Sequence, residues 1–197
     1  MMVLLTIAAL LLGLVYGLSG LELPVVTFLT GHTDAVLYLL MFSVGISVGM
    51  YRGLAAKIRE YHLRIFIIPA GIMFGSIAGG ILCALLLHIP LNYGAAIAGG
   101  MGWYSLAGAT IGRLVGAEMG SVAFLSNLMR EVFSYLIIPF IALKLNYYTS
   151  IAPAGATSED TTLPMMLKYT NEETVVLSVL NGMICSLFVP VIISLCL

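Results

Sequence analysis

Apolar residues run through this sequence in long blocks rather than in a soluble helix or strand pattern. Five blocks, residues 2–21, 35–51, 65–87, 91–112 and 174–197, contain no Asp, Glu, Lys, Arg or His. A bilayer-spanning helix needs about 20 apolar residues, so each block is roughly long enough to cross. The second is short and is extended by Asp34 and the preceding turn. A sixth block, 119–143, is apolar on both sides but carries Arg130 and Glu131 in its middle. A seventh, 147–167, reads YYTSIAPAGATSEDTTLPMML, with apolar arms around a polar centre that holds Gly and Pro. The pattern predicts an all-α fold: a polytopic membrane helical bundle of about seven membrane segments, one or two of them broken. These segments form a single integral membrane domain over 1–197.

Composition narrows the function. Of 197 residues, 61% are hydrophobic and 9% charged, and the mean hydropathy is +1.11. A soluble domain carries about 25% charged residues, so a soluble globular protein is excluded, and disorder with it. There is no extramembrane domain to hold a soluble active site. A net charge of -1 gives no electrostatic footing for nucleic acid. Cys83, Cys185 and Cys196 are odd in number and follow no metal-ligand spacing, so they read as buried or lipid-facing thiols. No metal or other cofactor is expected. The first block lacks the basic start and A-x-A site of a signal peptide and reads as the first span.

Basic residues in short loops set orientation. Arg52, Lys57, Arg59 and Arg64 place the second loop in the cytoplasm, and Arg113 and Lys168 mark later inner turns. The N-terminus is then inside and the C-terminus outside, in the cell (inner) membrane, with Lys144 dissenting on the outer side. Glycines repeat every four residues at Gly13 and Gly17, at Gly45 and Gly49, and at Gly71, Gly75 and Gly79. Such faces let helix backbones approach in lipid. Gly108, Gly112, Gly116 and Gly120 continue the spacing across an expected turn, equally as a further packing face or as a flexible stretch or re-entrant bend.

Three motifs carry candidate chemistry. In the sixth block, Asn127, Arg130, Glu131 and Ser134 share one helix face, with Ser126 beside them. Counting from Met119 at about 1.5 Å per residue puts Glu131 roughly 18 Å into the bilayer, near its middle. A charge there costs at least about 2.5 kcal/mol. Such residues face a bundle interior and mark an ion or substrate path, or lock two helices together. In residues 152–164, Pro153, Gly155 and Pro164 discourage an unbroken helix. Thr157, Ser158, Glu159, Asp160, Thr161 and Thr162 form six consecutive polar positions. Irregular backbone at membrane depth needs protein or a watery cavity around it, and broken helices of this kind bind substrate in secondary transporters. The third motif, GGMGWYSLAG, places Trp103, Tyr104 and Ser105 between glycines in mid-block. It reads as a second interrupted helix lining the site, or as an aromatic belt.

In this order, GMGWYSLAG, FLSNLMREVFSYLIIPF and APAGATSEDTTLP resemble the LysO family of lysine exporters. Gly155, Ala156, Thr157, Ser158, Asp160, Thr162, Leu163 and Pro164 match its GATS-x-D-x-TLP signature. Asn127, Arg130 and Glu131 match Asn-x-x-Arg-Glu, and 102–106 match GWYSL. The resemblance implies a carrier, not an enzyme, that exports L-lysine and its analogues. It suggests kinship with the inverted-repeat cation–proton antiporter and anion transporter superfamily. Family members typically carry about three further N-terminal spans. The expectation is therefore a homodimer, or a hetero-complex with a small membrane protein that supplies them.

The expected mechanism is alternating access driven by H+ or Na+. Backbone amides and hydroxyls at Thr157, Ser158 and Thr161 hold the lysine carboxylate at a half-helix N-terminus. Asp160 and Glu131 hold the ammonium groups or the coupling ion. Asn127, Arg130, Trp103, Tyr104 and Ser105 complete the substrate- and ion-binding set. An alternative is a membrane subunit for another small amino acid or organic anion, inactive without a partner chain. Intramembrane proteolysis lacks the G-x-S-x-G and membrane His it would use, and a passive channel lacks a filter or charge ring.

Overall fold

A computed structural model describes residues 2–20, 23–32, 35, 39, 42, 46 and 65–197. The expected span 35–51, the basic loop 52–64, Asp34 and the Gly45–Gly49 face lie largely outside the described residues. The chain divides into two units, Met1–Tyr51 and Arg52–Leu197. In the first, α1 (Met2–Ser19) is followed by α2 (Pro24–Gly31). The Tyr16 hydroxyl accepts the Leu23 N–H at 2.9 Å and so ties the end of α1 to the start of α2.

The described part of the second unit is entirely helical. Its elements are α3 (Ile67–Leu87), α4 (Leu91–Gly99), α5 (Tyr104–Val115), α6 (Ala117–Lys144), α7 (Ile151–Ala154), a 3-10 turn (Gly155–Glu159), α8 (Leu163–Tyr169) and α9 (Glu172–Cys196). Among the described residues, α3, α6 and α9 are the helices long and apolar enough to cross a membrane. At about 1.5 Å per residue, α4 and α5 are too short to cross a core of about 30 Å.

Local chemistry explains where the helices stop. His88 takes a left-handed conformation (φ 56°) after α3, and Pro90, which cannot continue α3, caps the start of α4. Asn171 caps α9, its Oδ1 accepting both the N–H (2.9 Å) and the hydroxyl (2.7 Å) of Thr174. Glu172 and Glu173 lie in the first turn of α9, and Lys144 lies in the last turn of α6. Each complements the helix dipole.

The three long helices alternate in direction. Ile67 and Ile68 at the start of α3 line one cleft with Ile137 and Ile141 near the end of α6. Leu87 and Ile89, after α3, line another with Val122 near the start of α6. So α3 and α6 run antiparallel. The Tyr148 hydroxyl, just past α6, donates to Glu173 Oε1 at 3.0 Å, so α9 starts where α6 ends.

This arrangement changes the reading of block 91–112. That block was expected to cross and reach the other face at Arg113. It breaks at 100–103, and α5 turns back along α6, so α4 and α5 enter and leave the bundle at the same end. The apolar run was long enough for a span, but four residues of non-helical backbone redirect it. Consequently Lys144 lies at the same end of the bundle as the start of α3, and Arg113, read as an inner mark alongside Lys168, lies at the opposite end. The second broken segment, α7 to α8, is also a hairpin, entering from the opposite end: Ser150 at its start touches Met166 Sδ (3.7 Å) near its finish.

Candidate functional site

The two hairpins enter from opposite ends and their tips meet between α3, α6 and α9. The contact is a backbone hydrogen bond, Ala156 N–H to Met101 O at 2.9 Å.

At the first tip, Met101 (φ 48°) and Gly102 (φ 98°) take positive φ values. The helix ladder stops there, leaving backbone groups to be satisfied in a region without water. One side chain serves them. Asn127 of α6, 2% exposed, accepts the Gly102 N–H at Oδ1 (2.8 Å). Its amide donates to Ile97 O (2.8 Å) and Ala123 O (2.9 Å). The hairpin is held by glycines on both flanks. A Cβ on Gly80 of α3 would strike Gly94 O of α4, and one on Gly120 of α6 would meet Gly108 O of α5 at 2.8 Å. The Gly108–Gly120 spacing is thus a packing face around the turn at Gly116.

The second tip holds itself differently. Thr157 Oγ1 donates to Ala154 O (2.8 Å) and Thr162 Oγ1 to Thr157 O (2.9 Å). Ser158 Oγ lies 2.8 Å from both Gly155 O and Ser178 O, and Ser178 Oγ returns a bond to Ser158 O at 2.8 Å. Asn181 donates to Gly155 O (3.0 Å) and Ser158 Oγ (2.9 Å). Thr157 and Ser158, expected to bind a ligand carboxylate, thus direct their hydroxyls at the protein's own carbonyls.

Between the tips stands the charged pair of α6. Arg130 donates from Nε to Pro153 O (3.1 Å) and from Nη2 to Ala152 O (3.2 Å), carbonyls that α7 leaves unpaired. Ser134 Oγ also reaches Pro153 O (2.9 Å). Arg130 Nη1 crosses to Ser76 of α3 (2.8 Å). As expected for adjacent residues on a helix, Glu131 points elsewhere and makes no ion pair with Arg130. It is 2% exposed, and its Oε2 and Thr161 Oγ1 are buried atoms without a hydrogen-bond partner. Thr161, Asp160 and Tyr135 are its electrostatic neighbours, and the Tyr135 hydroxyl donates to Thr161 O at 2.7 Å. Asp160 is exposed and accepts the Thr161 N–H. Glu159 is half-buried against Gly182 of α9 and accepts from Ser186 Oγ at 3.0 Å.

The structure therefore gathers Asn127, Arg130, Glu131, Thr157, Ser158, Asp160 and Thr161 around the tips. Trp103 and Tyr104 are half-buried just past the first tip, with the Tyr104 ring edge-on to Phe124 at 5.3 Å. Ser105 is exposed. Sequence reasoning missed Ser76, Ser178, Asn181 and Ser186, which stand in blocks whose polar positions it did not single out. The signal was there: 178, 181, 185 and 186 recur at helical spacing on one face of α9. Among the described residues no group of His, Cys, Asp and Glu gathers as a metal site.

Comparison with known proteins bears on the same segments. The profile of the lysine exporter LysO family matches residues 7–197. "Lysine exporter LysO" of Escherichia coli is 34% identical over 186 residues, 93% of this chain and 60% of that protein. "Putative lysine exporter" of Haemophilus influenzae is 33% identical over 173 residues, 84% of each. No solved structure matches. The chain spans about 60% of the length of the Escherichia coli relative. Both relatives carry the name of a transporter rather than an enzyme. With a match that runs from residue 7 to the last residue, this chain belongs to the lysine exporter LysO family.

Proposed function

We propose that this chain is a secondary active exporter of L-lysine in the cell inner membrane, with its site between the two hairpin tips. The observation that carries this reading is Glu131: a carboxyl 2% exposed, with one oxygen unpartnered, beside the similarly unpartnered Thr161 hydroxyl. An intramembrane carboxyl with an oxygen left unpartnered is expensive to keep unless it meets a transported cation. Lysine brings two ammonium groups, so Glu131 receives an ammonium or the coupling H+ or Na+. Asp160, exposed at the second tip, is the second acidic ligand. Asn127, Thr157 and Ser158 hold the tips in shape, while the Thr161 side chain lies between Glu131 and Asp160. Trp103, Tyr104 and Ser105 border the first tip.

Two hairpins inserted from opposite ends also agree with an inverted-repeat transporter architecture, where discontinuous helices meet at mid-membrane. Lys144 and Lys168 lie at one end of the bundle and Arg113 at the other, and the excess favours the Lys144 end as cytoplasmic. The C-terminus of α9 is then outside. The length of the Escherichia coli relative supports a second reading, in which further spans, from a second copy or a small membrane partner, complete the carrier.

The test is efflux of labelled L-lysine from lysine-loaded cells that lack their own exporter, with and without this chain. Faster efflux with the chain, lost in Glu131→Gln, is the expected result. Equal efflux in both strains, with the chain shown to be inserted, overturns the reading.

A further inference from the structure

Two clefts run along the groove between α3 and α6, and one hydrogen bond separates them. The larger, about 810 Å³, lies toward the start of α3, between Ile67 and the Tyr148 loop. The smaller, about 300 Å³, lies toward the other end, by Leu87 and Ile89. Three residues line both: Gly75, Ser76 and Arg130. The bond from Arg130 Nη1 to Ser76 Oγ (2.8 Å) is therefore the partition. On the α3 side the groove is kept open by Gly71, Gly75 and Gly79, where a Cβ would find nothing within 4 Å.

Arg130 is the sole charged residue among the lining of either cleft. Its Nε and Nη2 are fixed on the carbonyls of Pro153 and Ala152, which anchors the guanidinium to the base of the second tip. Three of its five N–H groups are used in this way, counting the one on Ser76. Nη1 is held only by a neutral hydroxyl. A guanidinium prefers a carboxylate, which accepts two parallel bonds and carries the opposite charge, to a neutral hydroxyl, which accepts one. The rest of the lining is uncharged, its polar side chains being Ser134, Tyr148 and Thr149 in the larger cleft and Ser126 and Asn127 in the smaller, so no second cation in either cleft competes for an anion.

We propose that Arg130 binds the carboxylate of the transported amino acid, and that Ser76 is its place-holder. A carboxylate arriving in the larger cleft displaces the Ser76 hydroxyl from Nη1. This fills the cation and removes the partition between the clefts in the same step. The proposal rests on the exporter reading and gives the carboxylate a partner other than the hydroxyls of the second tip, which face the protein's own backbone. Ser76 is a positioning residue: it acts through Arg130.

Ser76→Asp tethers a carboxylate next to Arg130 permanently. Lysine efflux should fall roughly tenfold or more, the scale of a charge-assisted interaction, with full-length protein inserted and its melting temperature unchanged or raised. Ser76→Ala frees Nη1 and should leave the half-saturation concentration at or below that of the parent chain. A bond that merely ties α3 to α6 gives the opposite order: Ala loses stability and flux, while Asp keeps both. That order overturns the proposal. If the Asp variant fails to insert, Ser76→Ala decides alone, since a raised half-saturation concentration also overturns it.

Melting of the purified full chain separates this idea from the exporter reading. L-lysine and acetate should stabilise the parent chain and L-lysine amide should not, and Ser76→Asp should lose the response to acetate. If cells show no lysine efflux but the acetate response and its loss are found, the exporter reading fails and the carboxylate site stands. If lysine is exported but acetate stabilises parent and Asp variant alike, or neither, the carboxylate site fails alone.

Discussion

The two hairpin tips solve one problem in different ways. Each is a stretch of non-helical backbone deep in an apolar bundle, where free N–H and C=O groups are costly. The first tip, 100–103, relies on backbone conformation and on one side chain from outside, Asn127. Its flanks are packed backbone to backbone through Gly80 against Gly94 and Gly108 against Gly120. The second tip, 155–162, is rich in hydroxyls and satisfies itself, with help from Ser178 and Asn181 of α9. It is also where the acids and Arg130 converge. The difference teaches a division of labour: the first hairpin is a fixed wall, and the second is the part with polar groups to rearrange when a solute binds.

The largest effect is expected at Gly155. A Cβ there would strike Met101 O and come within 2.9 Å of Arg130 Nη2, at a φ of 60° that a side chain resists. Gly155→Ala should lose more than about 3 kcal/mol of stability and all transport, read as melting temperature and efflux. Gly102→Ala, at φ 98° but with its nearest foreign atom at 3.3 Å, should lose about 1–2 kcal/mol. Equal losses at the two glycines contradict the asymmetry.

Next in size are the asparagines. Asn127 makes three bonds without a deputy, so Asn127→Ala should cost about 3 kcal/mol by stranding buried backbone groups. Asn181 shares its backbone acceptor, Gly155 O, with Ser158 and otherwise donates to Ser158 Oγ, so Asn181→Ala should cost about 1–2 kcal/mol. Thermal melts of the two purified variants rank them.

The carboxylates test the second tip as chemistry rather than as scaffold. Glu131→Gln and Asp160→Asn should abolish lysine efflux while leaving melting temperature within a few degrees. For Glu131→Gln a rise is expected, because a buried carboxyl with one oxygen unpartnered is made neutral. Normal efflux in either variant removes that residue from the mechanism. Glu159→Gln should show the smallest effect on flux, because Glu159 faces Gly182 and Ser186 rather than the gap between tips.

Much of this was legible in the sequence. Apolar blocks gave the helical class, and Pro153, Gly155 and Pro164 gave the second break. The Gly-rich GGMGW run pointed to the first. What the blocks did not disclose was direction. An apolar run of 22 residues fits a straight span and a bent hairpin equally, because hydropathy sums residues and is blind to φ. Lys144, the one basic residue that fitted poorly, was the trace of that ambiguity. With the first hairpin turned back, it moves to the end where α3 starts. The α9 contribution was hidden for a different reason. Ser178, Asn181 and Ser186 are uncharged, so they scarcely lower the hydropathy of a block that also holds Leu, Ile and Val. Their importance appears only when a broken backbone is laid against them.

The tight seat of Gly155 has a genetic consequence. Every amino-acid change that one nucleotide can make in a glycine codon introduces a Cβ. At this position each of them drives an atom into Met101 O, the carbonyl through which the hairpin tips touch. The position has no neutral neighbours in sequence space, so drift cannot carry a working copy of this gene away from glycine one step at a time. A lineage that shows another residue at 155 should also show a reshaped 100–103 segment, or a chain released from transport.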